Sequence, residues 1–312
     1  MQKRIVILDV QTLGEDLDLS ILSQFGDVIP YKNSNEDETF DRISDADIVI
    51  TNKVIISDEM MKHASRLSLI CIAATGMNNV DLEAAEKFDI LVKNVAGYST
   101  ESVVQHTFAM LFHQKEHLNY YDNVVKTGLW TLSDLFTDIS HPFSEIYGKK
   151  WGIIGLGSIG RKVAMIATAF GAEVFYTSTS GKNNDSSYTQ LALKELLTSC
   201  DIISIHAPLN TQTYNLINET NLPLLQEGAT LLNLGRGGII NETDLAFELD
   251  RREIYACLDV LENEPIASTN RLMQIEHKER LLITPHIAWT SIEAREKLLE
   301  GIVENISTFL EK

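Results

Sequence analysis

Residues 151–183 read WGIIGLGSIGRKVAMIATAFGAEVFYTSTSGKN. An apolar run, Trp151–Ile154, leads directly into Gly155-x-Gly157-x-x-Gly160. A helical pattern over Arg161–Phe170 and a second apolar run at Glu173–Tyr176 follow. A short strand, a glycine turn and an amphipathic helix are the opening of a β-α-β unit. In that frame Gly155 permits the tight turn, Gly157 lets backbone approach a pyrophosphate, and Gly160 lets helix and strand pack closely. Free N–H groups at the helix start, near Ser158 and Ile159, form an anion site. The stretch therefore predicts a dinucleotide site; the plain alternative is a tight strand–helix turn.

About 20 residues on, such a site carries Asp or Glu for the ribose hydroxyls of NAD. Here the place reads Tyr176-Thr177-Ser178-Thr179-Ser180-Gly181, with no acid. Ser178 stands where the acid would be. It can bond a ribose hydroxyl but has no charge to repel a 2′-phosphate. Thr179, Ser180 and the Gly181 backbone can donate to a phosphate, and Lys182 adds a cation. The loop has no arginine, the residue that accommodates a 2′-phosphate in NADP sites. The expectation is NAD or NADP, leaning to NADP with modest selectivity.

The alternation extends in both directions. Apolar runs at Ile5–Val10, Asp47–Thr51, Leu69–Ala74 and Ile90–Val95 are separated by helical patterns such as Asp58–Ala64 and Asp81–Phe88. Glu101 to about Lys126 reads as one long helix, with Ser99 or Thr100 as N-cap. After a polar, aromatic-dotted segment, Gly128–Tyr147, strands are expected at Ile202–His206, Thr230–Leu234 and Ala256–Asp259. Ile292, Leu298, Leu299, Ile302, Ile306 and Leu310 give Ser291–Glu311 helical spacing. The fold class is α/β: two domains with parallel sheets. The terminal helix is expected to return to the first, giving 1–99 plus 288–312 and an inserted 100–287.

Composition narrows the function classes. The 312 residues are 44% apolar and 22% charged, and 26 basic against 44 acidic side chains give a formal charge of −18. Such a charge repels phosphate backbones and anionic lipid, so nucleic acid and membrane surfaces are poor partners. The three cysteines, Cys71, Cys200 and Cys257, are scattered in apolar contexts. They read as small buried hydrophobes, not a disulfide framework or a metal site. The N-terminal apolar run is too short for a signal peptide or a membrane span. It reads as a first buried strand of a cytoplasmic protein.

Ligands of open α/β sheets sit outside the carboxyl ends of strands. After Thr230–Leu234 comes Gly235-Arg236-Gly237-Gly238, where an arginine between glycines can grip a carboxylate bidentately or simply occupy a surface turn. After Ala256–Asp259 comes Leu261-Glu262-Asn263-Glu264-Pro265, in which either glutamate, taken alone, reads as a solvated charge. His286, in Thr284-Pro285-His286-Ile287-Ala288-Trp289, is a buried imidazole or an acid–base group. A carboxylate beside it would orient the ring and favour its cationic form, making it a proton donor to a developing alkoxide. A nicotinamide site, an arginine and a His–carboxylate pair are the parts for carbonyl reduction beside a carboxylate.

Arg236, Glu264 and His286 in that order, downstream of the glycine motif, resemble the D-isomer-specific 2-hydroxyacid dehydrogenases. Asn94-Val-Ala-Gly-Tyr-Ser-Thr-Glu-Ser-Val103 resembles that family's hinge, and Ala74-Thr-Gly-Met-Asn-Asn-Val-Asp81 its substrate-carboxylate loop. Asp201–Pro208 resembles the strand and loop beside the adenosine. The resemblance covers nearly the whole chain. Within the family, Thr51-Asn52-Lys53, Gly97–Met110 and His286–Ser291 look most like the hydroxypyruvate reductase/glycerate dehydrogenase branch. Gln105 stands where Glu is more usual.

The resemblance implies a flavodoxin-like substrate domain and a Rossmann cofactor domain, usually in homodimers. It implies His286 as proton donor and acceptor, Glu264 as its partner, and Arg236 on the substrate's carboxylate and carbonyl. Thr75 and Gly76 would also hold the carboxylate, with Lys53 and Trp289 bordering the side chain. On the cofactor side it implies Gly155, Gly157, Ser158, Ile159, Gly160, Ser178, Thr179, Ser180, Lys182, His206, Ala207, Pro208, Leu234, Gly235, Arg236, Asp259 and His286, with Asp259 at the nicotinamide carboxamide. The implied activity is NAD(P)H-dependent reduction of a small 2-oxo acid, with closure of a cleft excluding water. A formate dehydrogenase would have Gln as the histidine's partner, against Glu264. A phosphite-oxidising relative fits the hydroxypyruvate-type segments less well. The alternative of another class is a dinucleotide-sensing, corepressor-like binding protein; turnover on 2-oxo acids discriminates the two.

Overall fold

The structure is a computed structural model and describes residues 2–182 and 185–311. In chain order the elements begin β1 Lys3–Ile7, β2 Gly26–Pro30, α1 Glu36–Ile43, β3 Ile48–Thr51, α2 Asp58–His63, β4 Leu69–Ile72, α3 Leu82–Lys87 and β5 Leu91–Asn94. Two helices follow, α4 Thr100–Lys115 and α5 Leu118–Lys126. Then come β6 Lys150–Ile154, α6 Ser158–Ala169, β7 Glu173–Thr177, β8 Thr189–Gln190, α7 Leu193–Ser199, β9 Ile202–Ile205 and β10 Thr230–Asn233. The chain closes with α8 Glu242–Arg251, β11 Tyr255–Leu258, β12 Leu281–Ile283 and α9 Ile292–Leu310. Contacts divide it into two units, Met1–Ser99 with Trp289–Lys312, and Thr100–Ala288.

The first unit holds a parallel sheet in the order β2-β1-β3-β4-β5. This is the flavodoxin-type order, whose direction reverses between β1 and β3. Strands β3 and β4 are buried along their whole length. Both faces are covered, so they read as unbroken apolar runs. On one face Leu298, Leu299, Ile302 and Ile306 of α9 pack with Ile5, Ile7, Ile48, Ile50 and Leu69. On the other, Met60 and Met61 of α2 and Ala84 and Ala85 of α3 pack with Val6, Val49, Ile70 and Ile72. A Cβ on Gly301 of α9 would lie 2.5 Å from Val95 Cγ1, so the helix needs glycine there to seat.

Two elements of this unit leave little trace in the periodicity. β2 is an edge strand that ends at Pro30 and has one buried residue. α1 buries only Thr39 and Ile43 and is started by a capping box between Asn35 and Glu38.

The second unit's sheet, among the described residues, runs β12-β11-β10-β9-β6-β7-β8, all parallel. Counted from β6, this is the doubly wound Rossmann order extended by one strand. The expected single helix over 101–126 is corrected to two. α4 ends at Lys115, and His117, at φ +51°, turns the chain before α5. No Gly or Pro marks the break, so the 3.6-residue pattern reads straight through it. The second crossover falls after Ala288, which unit 2 retains: its carbonyl accepts from Ser102 Oγ at 2.6 Å and its N–H donates to Asp259 Oδ2 at 2.9 Å.

The three cysteines are buried and free. Burial pushes the Cys71 thiol up to about 12 and Cys200 up to about 11, and raises Cys257 as well, so none is a thiolate at neutral pH. Among the described residues no helix is long and apolar enough to cross a membrane.

Candidate active site

Because unit 2's sheet is wholly parallel, its strands all end at one edge. Gly155 follows β6, Ser178 follows β7, His206 follows β9, Leu234 follows β10, Asp259 follows β11 and Thr284 follows β12. Gly155 has φ +95°, and a Cβ there would lie 2.9 Å from Ala207 backbone. A Cβ on Gly160 would lie 2.3 Å from Gly155 O. Gly157 differs: a Cβ on it would meet nothing within 4 Å. It is the N-cap of α6 and supplies no side-chain cap. The loop thus keeps open space beside uncapped helix N–H groups, the arrangement an anion needs.

Polar atoms flank this turn without partners. Ser178 Oγ and both ring nitrogens of His206 are buried and make no hydrogen bond. Burial pushes the His206 imidazole down to about 3, so it is neutral at working pH. An unpaired buried polar group costs about 1–3 kcal/mol, and these persist on either side of β6. A ligand with hydroxyl, amide or phosphate groups in the crevice would satisfy them. The residues present therefore fit a dinucleotide.

The rest of the β7 loop is open. Thr179 is half-buried, Ser180 and Lys182 are exposed, and Lys182 N donates to Ser180 Oγ at 3.3 Å. Arg161 of α6 pairs with Asp185 at the far end of this loop, a contact the sequence count does not reach. Hydrogen bonds from Ser187, chiefly its backbone N–H, hold the Asp185 carboxyl below its usual range.

At the same edge His286 Nδ1 lies 2.7 Å from Glu264 Oε2. Glu264 Oε1 accepts from Leu261 N at 2.9 Å, which orients the carboxylate. His286 Nε2 has no partner among the described residues, so the ring keeps one nitrogen for a ligand. Of the two glutamates, Glu262 instead accepts from the exposed Tyr214 hydroxyl at 3.1 Å. Arg236 is half-buried, and Nη1 donates back to Gly235 O at 2.9 Å. Its carbonyl accepts from Asn233 Nδ2, and Asn233 Oδ1 accepts from Gly235 N, which sets the turn. A Cβ on Gly237 would fall 1.9 Å from Leu261 O, so the arginine turn and the Glu264 loop pack backbone to backbone.

Asp259 is 1% exposed. Its Oδ1 accepts from Thr284 Oγ1 at 2.6 Å and from Ile287 N at 2.9 Å, and Oδ2 accepts from Ala288 N. Sequence reading passes over His106, whose Nε2 lies 3.1 Å from Thr284 Oγ1. The available signal is a polar residue in the apolar stripe Val103–His106–Met110. Gln105 beside it is exposed.

The remaining candidates lie in unit 1. Lys53 N donates to Asp9 at 2.7 Å. The residue lines a cavity of about 360 Å³ with Asp9, Asn33 and Ser57. Thr75 and Gly76 follow β4; Thr75 O accepts from Asn94 Nδ2 at 2.6 Å. Trp289 stacks edge-on with Tyr98 at 6.2 Å and packs against the core under α9.

Residues 108–288 match the family model described as "D-isomer specific 2-hydroxyacid dehydrogenase, NAD binding domain". The chain is 34% identical to a hydroxypyruvate reductase of Blautia hydrogenotrophica, over 98% of this chain and 97% of that protein. It is 32% identical to a glycerate dehydrogenase of Methylorubrum extorquens, over 99% and 97%. An acyclic imino acid reductase solved with NADPH and D-Arg superposes with TM-score 0.86 at 32% identity, covering 99% of this chain and 97% of that one.

Proposed function

Since the chain belongs to the D-isomer specific 2-hydroxyacid dehydrogenase family, we propose that it reduces a hydroxypyruvate- or glyoxylate-type 2-oxo acid to the D-2-hydroxy acid and catalyses the reverse oxidation. It is an enzyme acting on CH–OH groups, as the family is. The observation that carries the reading is the His286–Glu264 contact at 2.7 Å, on the edge shared with Arg236 and the glycine turn.

We assign unit 2 to the cofactor and unit 1 to the substrate. The glycine turn, Ser178, His206, Ala207, Pro208, Leu234 and Gly235 hold the dinucleotide, and bound there it supplies the hydride. Arg236 orients the substrate by its carboxylate and polarises the carbonyl. His286 gives a proton from Nε2 to the developing alkoxide, while Glu264 at Nδ1 stabilises the imidazolium. Thr75 and Gly76 hold the carboxylate, and Lys53 and Trp289 border the side chain. The relatives named for hydroxypyruvate, glycerate and glyoxylate support a small substrate of two or three carbons.

For the cofactor we favour NADPH over NADH by a modest margin. An uncharged Ser178 does not repel a 2′-phosphate, and a relative of 32% identity binds NADPH. For the assembly we favour a homodimer. Leu132, Phe136, Ile139, Phe143 and Tyr147 are all more than half exposed, with Phe136 at 90%. So dense an apolar segment marks a protein-binding surface. Sedimentation at a single, monomeric mass would end that assignment.

The test of function is the initial rate on hydroxypyruvate and glyoxylate with NADH and NADPH side by side. Turnover of either acid with a lower KM for NADPH is expected. Cofactor binding without turnover of either acid would reject the substrate class.

A further inference from the structure

The Thr284 hydroxyl has one proton to give. Asp259 Oδ1 receives it at 2.6 Å; the other acceptor in range, Met110 Sδ, is at 3.8 Å. A thioether is a weak acceptor and a carboxylate a strong one. His106 Nε2, 3.1 Å from the same oxygen, must therefore donate to it, which fixes the tautomer as Nε2–H. Nε2 is also 3.6 Å from Asp259 Oδ1. Donation thus runs from His106 of α4 to Thr284 after β12 and on to Asp259 after β11.

Asp259 brackets two residues, Pro285 and His286. It takes the Thr284 hydroxyl on one side of His286 and the Ile287 and Ala288 N–H groups on the other. His286 itself sits at φ +55°. A left-handed conformation at a non-glycine residue costs about 1–3 kcal/mol and persists only where its surroundings over-determine it.

We propose that His106 is a positioning residue for His286: by donating to Thr284 it directs the threonine proton onto Asp259, and the carboxylate then holds residues 284–288 so that His286 keeps its strained, Glu264-facing pose. The proposal rests on the reading of His286 as the proton donor. His106 touches neither substrate nor cofactor in this role. Burial, the larger effect, lowers its pKa and outweighs the opposing pull of Asp259, in keeping with a neutral donor.

The test uses His106→Ala, His106→Gln, Thr284→Val, the Ala/Val double variant and His286→Ala in the full-length enzyme. Three readouts are taken: kcat and KM for the 2-oxo acid, dinucleotide Kd by fluorescence, and hydrogen exchange of the amides of residues 284 and 286–288 without cofactor. His106→Ala is expected to lower kcat on the order of 100-fold, the cost of a misplaced catalytic group. Dinucleotide Kd should stay within about twofold, and exchange at Ile287 and Ala288 should quicken. His106→Gln, which keeps an N–H near the Nε2 position, should recover most of both losses. Adding Thr284→Val to His106→Ala should cost little more, because the two act in series.

A kcat for His106→Ala within about twofold of wild type, multiplying effects of the Ala and Val changes, or no advantage of Gln over Ala would each overturn the proposal. Near-normal turnover by His286→Ala would overturn the proton-donor reading and this proposal with it. Loss of turnover there, with none in His106→Ala, would overturn this proposal alone.

Discussion

Asp9 and Asp259 are the same device in two sheets. Each follows a buried strand, is 2% and 1% exposed, and gathers N–H groups from the loop after the neighbouring strand. Asp9 accepts from Asn52, Lys53 and Val54; Asp259 accepts from Ile287, Ala288 and the Thr284 hydroxyl. A buried carboxylate is tolerable only when donors surround it, and two loops returning to one sheet edge supply them. The difference lies in what is pinned. The 52–54 loop has no left-handed residue, whereas the 284–288 loop carries His286 at φ +55°. Both carboxylates also take a threonine hydroxyl, but the donor to Thr51 is Val54 N of the same loop, whereas the donor to Thr284 is His106 of a separate helix, α4. The clamp that draws a side-chain donor from a separate helix is the one beside the strained residue, His286.

The largest effect is expected from removing what the second clamp presents. His286→Ala is expected to lose about 1,000-fold in kcat, about 4 kcal/mol of barrier, while dinucleotide affinity stays within about twofold. Steady-state kinetics with a fluorescence titration checks both; near-normal kcat would contradict the assignment. Next, Asp259→Asn sets an amide NH₂ against the donors the carboxylate now receives. We expect about a 100-fold fall in kcat. A loss confined to KM for the oxo acid would mean that the clamp does not set the pose of His286.

The counterpart change, Asp9→Asn, should act on stability. Leaving buried donors of the 52–54 loop unpaired is expected to cost about 2 kcal/mol, read as a lower denaturant midpoint. With Lys53 assigned to the substrate, KM should rise about threefold with little change in kcat; a kcat collapse like that of Asp259→Asn would erase the distinction between the clamps. The smallest effect is expected at the strand-end position without such a clamp. Ser178→Asp should shift the kcat/KM ratio of NADH to NADPH about tenfold toward NADH, by adding a charge that repels a 2′-phosphate. An unchanged ratio would show that cofactor choice is set elsewhere in the loop, with the Arg161–Asp185 pair the next place to look.

Legibility followed how local each feature is. The glycine turn was readable because strand, turn and helix are consecutive in the chain. The central strands were readable because burial on both faces leaves unbroken apolar runs. β2 and α1, at the sheet's edge with few buried positions, gave no such pattern. The break at His117 escaped because helix propensity is indifferent to one left-handed residue without Gly or Pro.

By itself the sequence determined the α/β class, the dinucleotide turn, and Arg236, Glu264 and His286 as residues that follow strands. It placed a missing acid at Ser178 and named the family by its motifs. The family resemblance pointed to Glu264 as the partner of His286, which residue reading alone left level with Glu262; the fold puts the two side chains 2.7 Å apart, and it alone reveals that His286 is left-handed and that His106, 178 residues before Thr284 in the chain, reaches that hydroxyl. The physical reason is that periodicity and turn chemistry are properties of neighbours along the chain. Which side chains meet at the end of a parallel sheet depends on strand order, and that order is set by the packing of both faces at once.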